Sequence, residues 1–319
     1  MTTTIGNCAR FALGLLLILP SVKAAELELL WEAQGFKNPE SVAYDAEREL
    51  LFVSNIDGVP THFDAKGGLA KLSIEGEVQD ANWAAIGMSS PAGVLVAGDH
   101  LYVADVDRVV VFDIEAGRVS DIFYAKPSAR FLNDIAMAPN GDIYVSDLQA
   151  RDIWRLTAAD RKSQTGAITR WFNGNRSDFC RPNGLHAGET ALIVACWSQR
   201  DAKQPDDKDD GPGHLMAIDY EDRSVTSLGD GSAIGNLDGL QPDGQGGFYL
   251  SDWTDGRFMH WRAENGTQSR AKLAPGVADF LVIPEREMLI VPFMKDNVVR
   301  AYRLPAAKPT KTGSKLESD

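Results

Sequence analysis

Four oxygen-bearing side chains recur at one place in a repeated phrase. The phrase pairs a short apolar segment with a second apolar run that ends in small or acidic residues. It occurs as Pro39–Asp45 with Leu51–Asn55, Pro91–Val96 with Leu101–Asp105, Leu132–Met137 with Ile143–Asp147, Pro182–His186 with Leu192–Cys196, and Leu237–Gln241 with Phe248–Asp252. A degenerate sixth copy joins Val277–Ile283 to Met288–Pro292. The second position of each phrase reads Glu40, Ala92, Asn133, Asn183, Asp238 and Ala278. A Glu, an Asp and two Asn aimed at one point suit a hard divalent cation, which takes oxygen ligands. With neither His nor Cys in the set, a structural zinc site fits poorly. Asn and Asp before Gly also serve backbone turns, as Asn183-Gly184 and Asp238-Gly239 could. A polar ring holding only water is a further competing reading.

The elements that must position these residues follow from the same repeat. The second member of each phrase is β-branched and aromatic, as strands prefer. Turn signals such as Pro139-Asn-Gly141 and Pro242-Asp-Gly244 separate the two members. Each pair is followed by further strand candidates, among them Leu69–Ile74, Val109–Ile114, Arg257–Trp261 and Val298–Tyr302. No sustained helical period occurs after residue 25. Units of this size match four-stranded blades. The expected fold is all-β: a six-bladed β-propeller of four-stranded antiparallel blades over residues 25–304, closed by an N-terminal strand at Leu27–Trp31. In a propeller the first strand of each blade lines the channel, so the second position of each phrase forms one ring around the axis.

Composition bounds the rest. The 319 residues include 45 Asp+Glu against 32 Lys+Arg, a net charge of −13, with 29 Gly and three Cys. That balance argues against nucleic acid as a partner, which needs a basic footprint. Three Cys exclude a disulfide-dense scaffold. Residues 1–24 read as a secretory signal peptide, with Arg10 before the apolar run Phe11–Leu19 and a small-residue cleavage site at Val22-Lys23-Ala24. The apolar run is too short to span a bilayer comfortably. Cleavage removes Arg10 and Lys23 and no acid, so the mature chain is more acidic by two charges. Its expected location is periplasmic or secreted, without membrane contact, as a monomer. Residues 305–319 are Pro-, Lys- and Ser-rich and read as a disordered tail.

The motifs Pro39-Glu40-Ser41, Asn133-Asp134, Pro182-Asn183-Gly184-Leu185 and Asp238-Gly239 together resemble the gluconolactonase/regucalcin family of six-bladed propeller lactonases. The resemblance covers residues 35–304. It implies one divalent cation on the channel axis, held by Glu40, Asn183 and Asp238. Ca2+ fits best, with Mg2+, Mn2+ and Zn2+ as alternatives. It further implies hydrolysis of a small sugar lactone or related ester, with the cation as Lewis acid on the carbonyl. Asn133 would contact substrate or metal, and Asp238 would take a proton from the attacking water. Family members often carry an Arg two residues before Asn-Asp. Here Arg130-Phe-Leu-Asn133 is one residue longer, so Arg130 is the candidate for holding substrate. Val42 also stands where the family has Pro. The alternative reading is a non-catalytic ligand-binding propeller with a structural calcium ion.

Other features carry less. Cys180 and Cys196 flank the first hairpin of the fourth unit. Facing residue 187 with 192 would set 183 opposite 196, and one residue of register decides whether the two cysteines pair. His186 is expected to pack away from Asn183, and His62 sits in the long segment Ile56–Gly68, placed to cover the channel mouth. The acidic stretch Gln199–Gly213 reads as a solvated insertion, and Asn175-Arg-Ser177 matches a glycosylation acceptor. No Gly-x-Ser-x-Gly elbow occurs.

Overall fold

The computed structural model describes residues 27–163, 166–174, 179–200 and 209–304. The signal-peptide segment, the C-terminal tail, the Asn175 acceptor and most of the acidic insertion lie outside them.

The described chain is all-β, in a propeller-like arrangement of four-stranded sheets. One sheet runs Pro39–Asp45, Leu50–Asn55, Gly67–Ser73 and Val78–Met88, each strand pairing with the next. Leu237–Pro242, Phe248–Asp252, Arg257–Arg262 and Gly266–Lys272 repeat that meander. An eight-stranded sheet contains two more meanders, Pro91 to Lys126 and Leu132 to Phe172, joined by parallel pairing of Ile168–Phe172 with Arg118–Lys126. Arg181–Ala187, Ala191–Arg200, Leu215–Asp219 and Val225–Ser227 form the next sheet, with Asp209–Pro212 pairing beside Ala191–Arg200. In the last sheet, Leu281–Ile283, Met288–Phe293 and Val298–Arg303 are joined by Leu29–Gln34. The strand from the start of the chain thus pairs antiparallel with the last, Trp31 opposite Ala301 and Gln34 opposite Val298. That removes an open edge. One departure from the expected all-strand pattern is a short helix, Ala158–Ser163.

First strands pack side by side between sheets: Pro39–Asp45 against Pro91–Ala97, then Leu132–Met137, Arg181–Ala187 and Leu237–Pro242 in turn. The cores lie between adjacent sheets, where alternating residues such as Leu51, Val53, Leu101, Val103, Ile143 and Val145 are fully buried. This is the alternation that β-branched runs impose on a strand with two buried faces.

A shared irregularity positions the site. Pro39 pairs with Asn55, but Val42 pairs with Val53, so Glu40 and Ser41 together oppose the single residue Ser54. The same slip occurs between Pro91 and Val94, Leu132 and Ile135, Pro182 and Leu185, and Leu237 and Leu240. Each is a β-bulge, which kinks the strand and re-aims its side chains. The bulge leaves one N–H off the ladder. Ser54, Ser146 and Ser251, standing opposite, accept it from Ser41, Asp134 and Gly239 at 3.0, 2.9 and 2.7 Å. The bulge also corrects the expected hairpin register. Ala187 faces Leu192 as expected, but Pro182, rather than Asn183, faces Cys196. Cys180 and Cys196 are joined by a disulfide, with their Cα atoms 5.8 Å apart. Closing a loop of that length is worth about 3 kcal/mol.

Candidate functional site

Every polar residue of the sequence-derived ring lies on a bulge and is buried. Glu40, Asn133, Asn183 and Asp238 are between 2% and 5% exposed. Asn133 donates its amide to Glu40 Oε1 at 3.2 Å across 93 residues of chain. Asn183 donates its amide to Asp238 Oδ1 at 3.2 Å and to the Leu237 carbonyl at 3.1 Å. Ala92 and Ala278, the small members of the column, are fully buried beside them. The structure therefore links the four residues in two pairs, Glu40 with Asn133 and Asn183 with Asp238.

Two oxygens of this set have no partner among the described residues. Glu40 Oε2 and Asn183 Oδ1 are buried without a hydrogen bond. Buried polar atoms are nearly always satisfied, and an unmet acceptor costs about 1–3 kcal/mol. Both are acceptors, so what they lack is a donor or a cation.

The next column, at the second residue of each bulge, reads Ser41, Gly93, Asp134, Gly184, Gly239 and Asp279. Sequence reasoning assigned Asp134 and Asp279 no role. Asp134 accepts the Leu185 N–H of the neighbouring sheet at 2.5 Å and its own strand's Ile135 N–H at 2.7 Å. Asp279 accepts the Ser41 hydroxyl at 2.6 Å, and Ser41 Oγ accepts the Val94 N–H at 3.4 Å. Ser41 thereby ties three successive sheets together. The glycines of the column are steric: a Cβ on Gly184 would sit 2.2 Å from the Asp238 carbonyl. Two acids in a column otherwise of Gly and Ser are a signal available in the sequence, one position past the column of Glu40, Asn133, Asn183 and Asp238.

Four buried carboxyls thus share one neighbourhood. Burial, then repulsion from Asp238, Asp279 and Asp134, raises Glu40 well above the usual carboxylate range. Burial and the charge of Asp279 raise Asp238, against the Asn183 hydrogen bond. Burial and Asp279 raise Asp134, against its two backbone N–H donors. Asp279 is raised from 3.8 to about 7, chiefly by burial. No Lys or Arg is among the dominant groups acting on these four. Among the described residues no group of three or more His, Cys, Asp or Glu comes together as a ready metal cage. Asp134 and Asp279 are turned onto the neighbouring strands, and half of the ring's oxygen donors are amides.

The remaining candidates lie outside this cluster. Arg130 is exposed, with its N–H held by Asp147 at 2.8 Å. His186 packs on Phe248, with ring centroids 5.7 Å apart, and burial lowers its pKa. His62 lies in the loop that reaches the neighbouring sheet, where Ala65 N–H donates to Ser89 Oγ at 3.2 Å.

Comparison of the chain with models of known protein families finds no match, and comparison with curated proteins finds none.

Proposed function

We propose that this chain is a closed six-bladed propeller whose axial residues Glu40, Asn183 and Asp238 hold one divalent cation, and that it hydrolyses a lactone or related ester. The resemblance to the gluconolactonase/regucalcin motifs and the geometry point the same way. The observation that carries the reading is the pair of orphaned acceptors, Glu40 Oε2 and Asn183 Oδ1, beside the Asp238 carboxylate. All three are hard oxygen donors, and Ca2+ suits such a set best. Five first strands carrying the same bulge, with the N-terminal strand completing the last sheet, support the ring.

When bound, the cation supplies a Lewis acid for a carbonyl oxygen. The chain's residues do the rest. Asn183 holds Asp238 through Oδ1, which leaves Oδ2 for the cation or for a proton from water. Asn133, fixed by Glu40, keeps its carbonyl oxygen for a substrate hydroxyl. Ser41 and Asp279 lock the Glu40 bulge against its neighbours, which preorganises the donors. Export belongs to the same proposal. A disulfide persists in oxidising compartments, and Cys180–Cys196 supports that location.

A second reading has its own support. The amide contacts of Asn133 and Asn183 bridge separate strands, as a purely structural ion site would. A lactone panel assayed with Ca2+, Mg2+, Mn2+ and Zn2+, with Asp238→Asn beside the parent, separates the two. Hydrolysis that needs the cation and collapses in the variant is the expected result. Cation binding without turnover of any lactone or ester favours the structural ion, and no cation binding overturns both.

A further inference from the structure

Trp253 and Met294 follow their second strands and Trp197 lies toward the end of Ala191–Arg200, all at the same end of the fold as the axial donors. Leu237 pairs with Asp252, so Asp238 and Trp253 lie one step to either side of that pair. The Trp253 N–H donates to the carbonyl of Asn236. The Met294 N–H likewise donates to Gly276, two residues before Ala278. Trp197 follows Cys196, the partner of Pro182, so Trp197 and Asn183 likewise lie one step to either side of that pair.

These three side chains form a continuous arc across three successive sheets. The Trp197 and Trp253 rings meet edge to face with centroids 5.7 Å apart. Trp253 Nε1 donates to Met294 Sδ at 3.3 Å. Lys295 lays its ammonium 3.9 Å from the Trp253 ring centroid, within cation–π range. That stack is built in: Gly276 has φ +93°, and a Cβ there would lie 2.8 Å from Lys295 Cγ. Two polar functions of the arc are already engaged. The indole N–H of Trp253 is on sulfur, and the Asn236 amide is on the Trp197 carbonyl at 2.9 Å. What remains presentable, on half-buried residues, is mainly indole face and thioether.

The segment after Leu50–Asn55 adds apolar surface at the same end. Its Val59 carbonyl accepts from Ser90 Oγ at 3.4 Å, which ties the loop to the start of Pro91–Ala97. Within it Val59 is 49% and Phe63 69% exposed. Large apolar side chains left exposed at the end of the fold that carries the axial donors point to a ligand that covers them.

We propose that Trp197, Trp253 and Met294 form the wall that selects the substrate, and that this wall takes a lactone or ester bearing an alkyl or aryl substituent. The inference rests on the lactonase reading of the axial site and deepens it. A polyhydroxylated ring would strip several hydroxyls of water against indole faces and a thioether, which return few hydrogen bonds, a penalty an apolar substituent does not meet. Lys295 is a positioning residue that holds the Trp253 ring.

The test compares kcat/KM for γ-phenyl-γ-butyrolactone, unsubstituted γ-butyrolactone and glucono-δ-lactone, with Ca2+ present. Wild type should favour the phenyl compound over both others by roughly tenfold or more, the scale of a few buried carbons. Trp253→Ala and Trp197→Ala should bring the phenyl-to-parent ratio below about threefold, while Trp253→Phe keeps most of it. A ratio unchanged in Trp253→Ala, or a wild-type preference for glucono-δ-lactone, overturns the proposal. Calorimetric titration with the non-hydrolysable γ-phenyl lactam gives a second readout. Binding by wild type that weakens at least about tenfold in Trp253→Ala supports the wall even if no lactone is turned over, and that combination sinks the lactonase reading alone. A lactam that wild type does not bind, or that both proteins bind equally, overturns the wall.

Discussion

Asp147 and Asp238 are both buried carboxylates at the same end of a strand pair, and their surroundings are opposite. Asp147 accepts backbone N–H groups from Arg130, Phe131 and Ala150 at 2.8, 3.1 and 2.9 Å. Asp105, its counterpart one unit earlier, accepts Ser89 and Ser90 N–H on one oxygen and the Arg108 guanidinium on the other. Asp252 binds Arg257 and two turn N–H groups in the same way. These strand-end acids are saturated, and they fasten the loops and turns around their strands. The bulge acids Glu40 and Asp238 receive one amide hydrogen bond apiece. Burial alone does not mark function. A buried carboxylate without enough donors, in the company of others like it, does.

The sharpest way to break this contrast is to remove one acid from each set. Asp238→Asn should lower kcat/KM on a hydrolysed lactone by roughly a thousandfold, about 4 kcal/mol of transition-state stabilisation, with the fold intact by circular dichroism. Asp147→Ala should instead destabilise the fold by about 3 kcal/mol in urea titration, because three backbone N–H groups lose their acceptor. Its Ca2+-induced stabilisation should persist. Reversal of those two outcomes would show the sets to be wrongly divided.

Proton linkage gives a third contrast. Asp279 is raised from 3.8 to about 7, so the folded state holds a proton that the unfolded chain releases. The cation-free protein should therefore keep that contribution in full below about pH 4 and lose it as pH climbs to about 7. Glu40, Asp134 and Asp238, raised for the same reasons, act in the same direction. A divalent cation competes with those protons. Ca2+ at a hundredfold over Kd should add about 2.7 kcal/mol, and at a fixed concentration its thermal shift should be larger at pH 8 than at pH 5. An equal shift at both pH values would separate the cation from the bulge acids.

The smallest effect concerns sign. Glu40→Gln removes one of four mutually repelling carboxylates and keeps the acceptor for Asn133, so the cation-free fold at pH 8 should gain about 1 kcal/mol. The same change should abolish the Ca2+ response. A loss of stability without cation would place Glu40 with the strand-end acids.

Much of this was legible in the chain. The repeat phrase located most first and second strands to within a residue or two, because strands buried on both faces must be apolar and turns must carry Gly, Asn or Asp; Leu281–Ile283 begins four residues later than expected and Ala191–Arg200 ends four residues later. The column Glu40, Asn133, Asn183 and Asp238 was readable for the same reason: equivalent positions in repeated units acquire equivalent places. The bulge was not readable. Nothing in Pro39-Glu-Ser-Val42 announces that two residues will oppose one, and the expected facing of Asn183 with Cys196 failed on that single residue. The roles of Asp134 and Asp279 were hidden for a related cause. Their partners, Leu185 and Ser41, belong to other units, and contacts between units leave no periodic trace within one.

The sequence by itself determined the all-β character, the repeating unit and which side chains would gather at one level. Those follow from alternation, turn chemistry and periodicity, all local properties. Only the tertiary structure decided which acids are satisfied and which are left wanting. Asp147 and Asp238 are the same residue type at the same end of a strand pair, one closing a second strand and the other on the bulge of a first, and their difference lies in the backbone N–H groups that folding brings to one and withholds from the other.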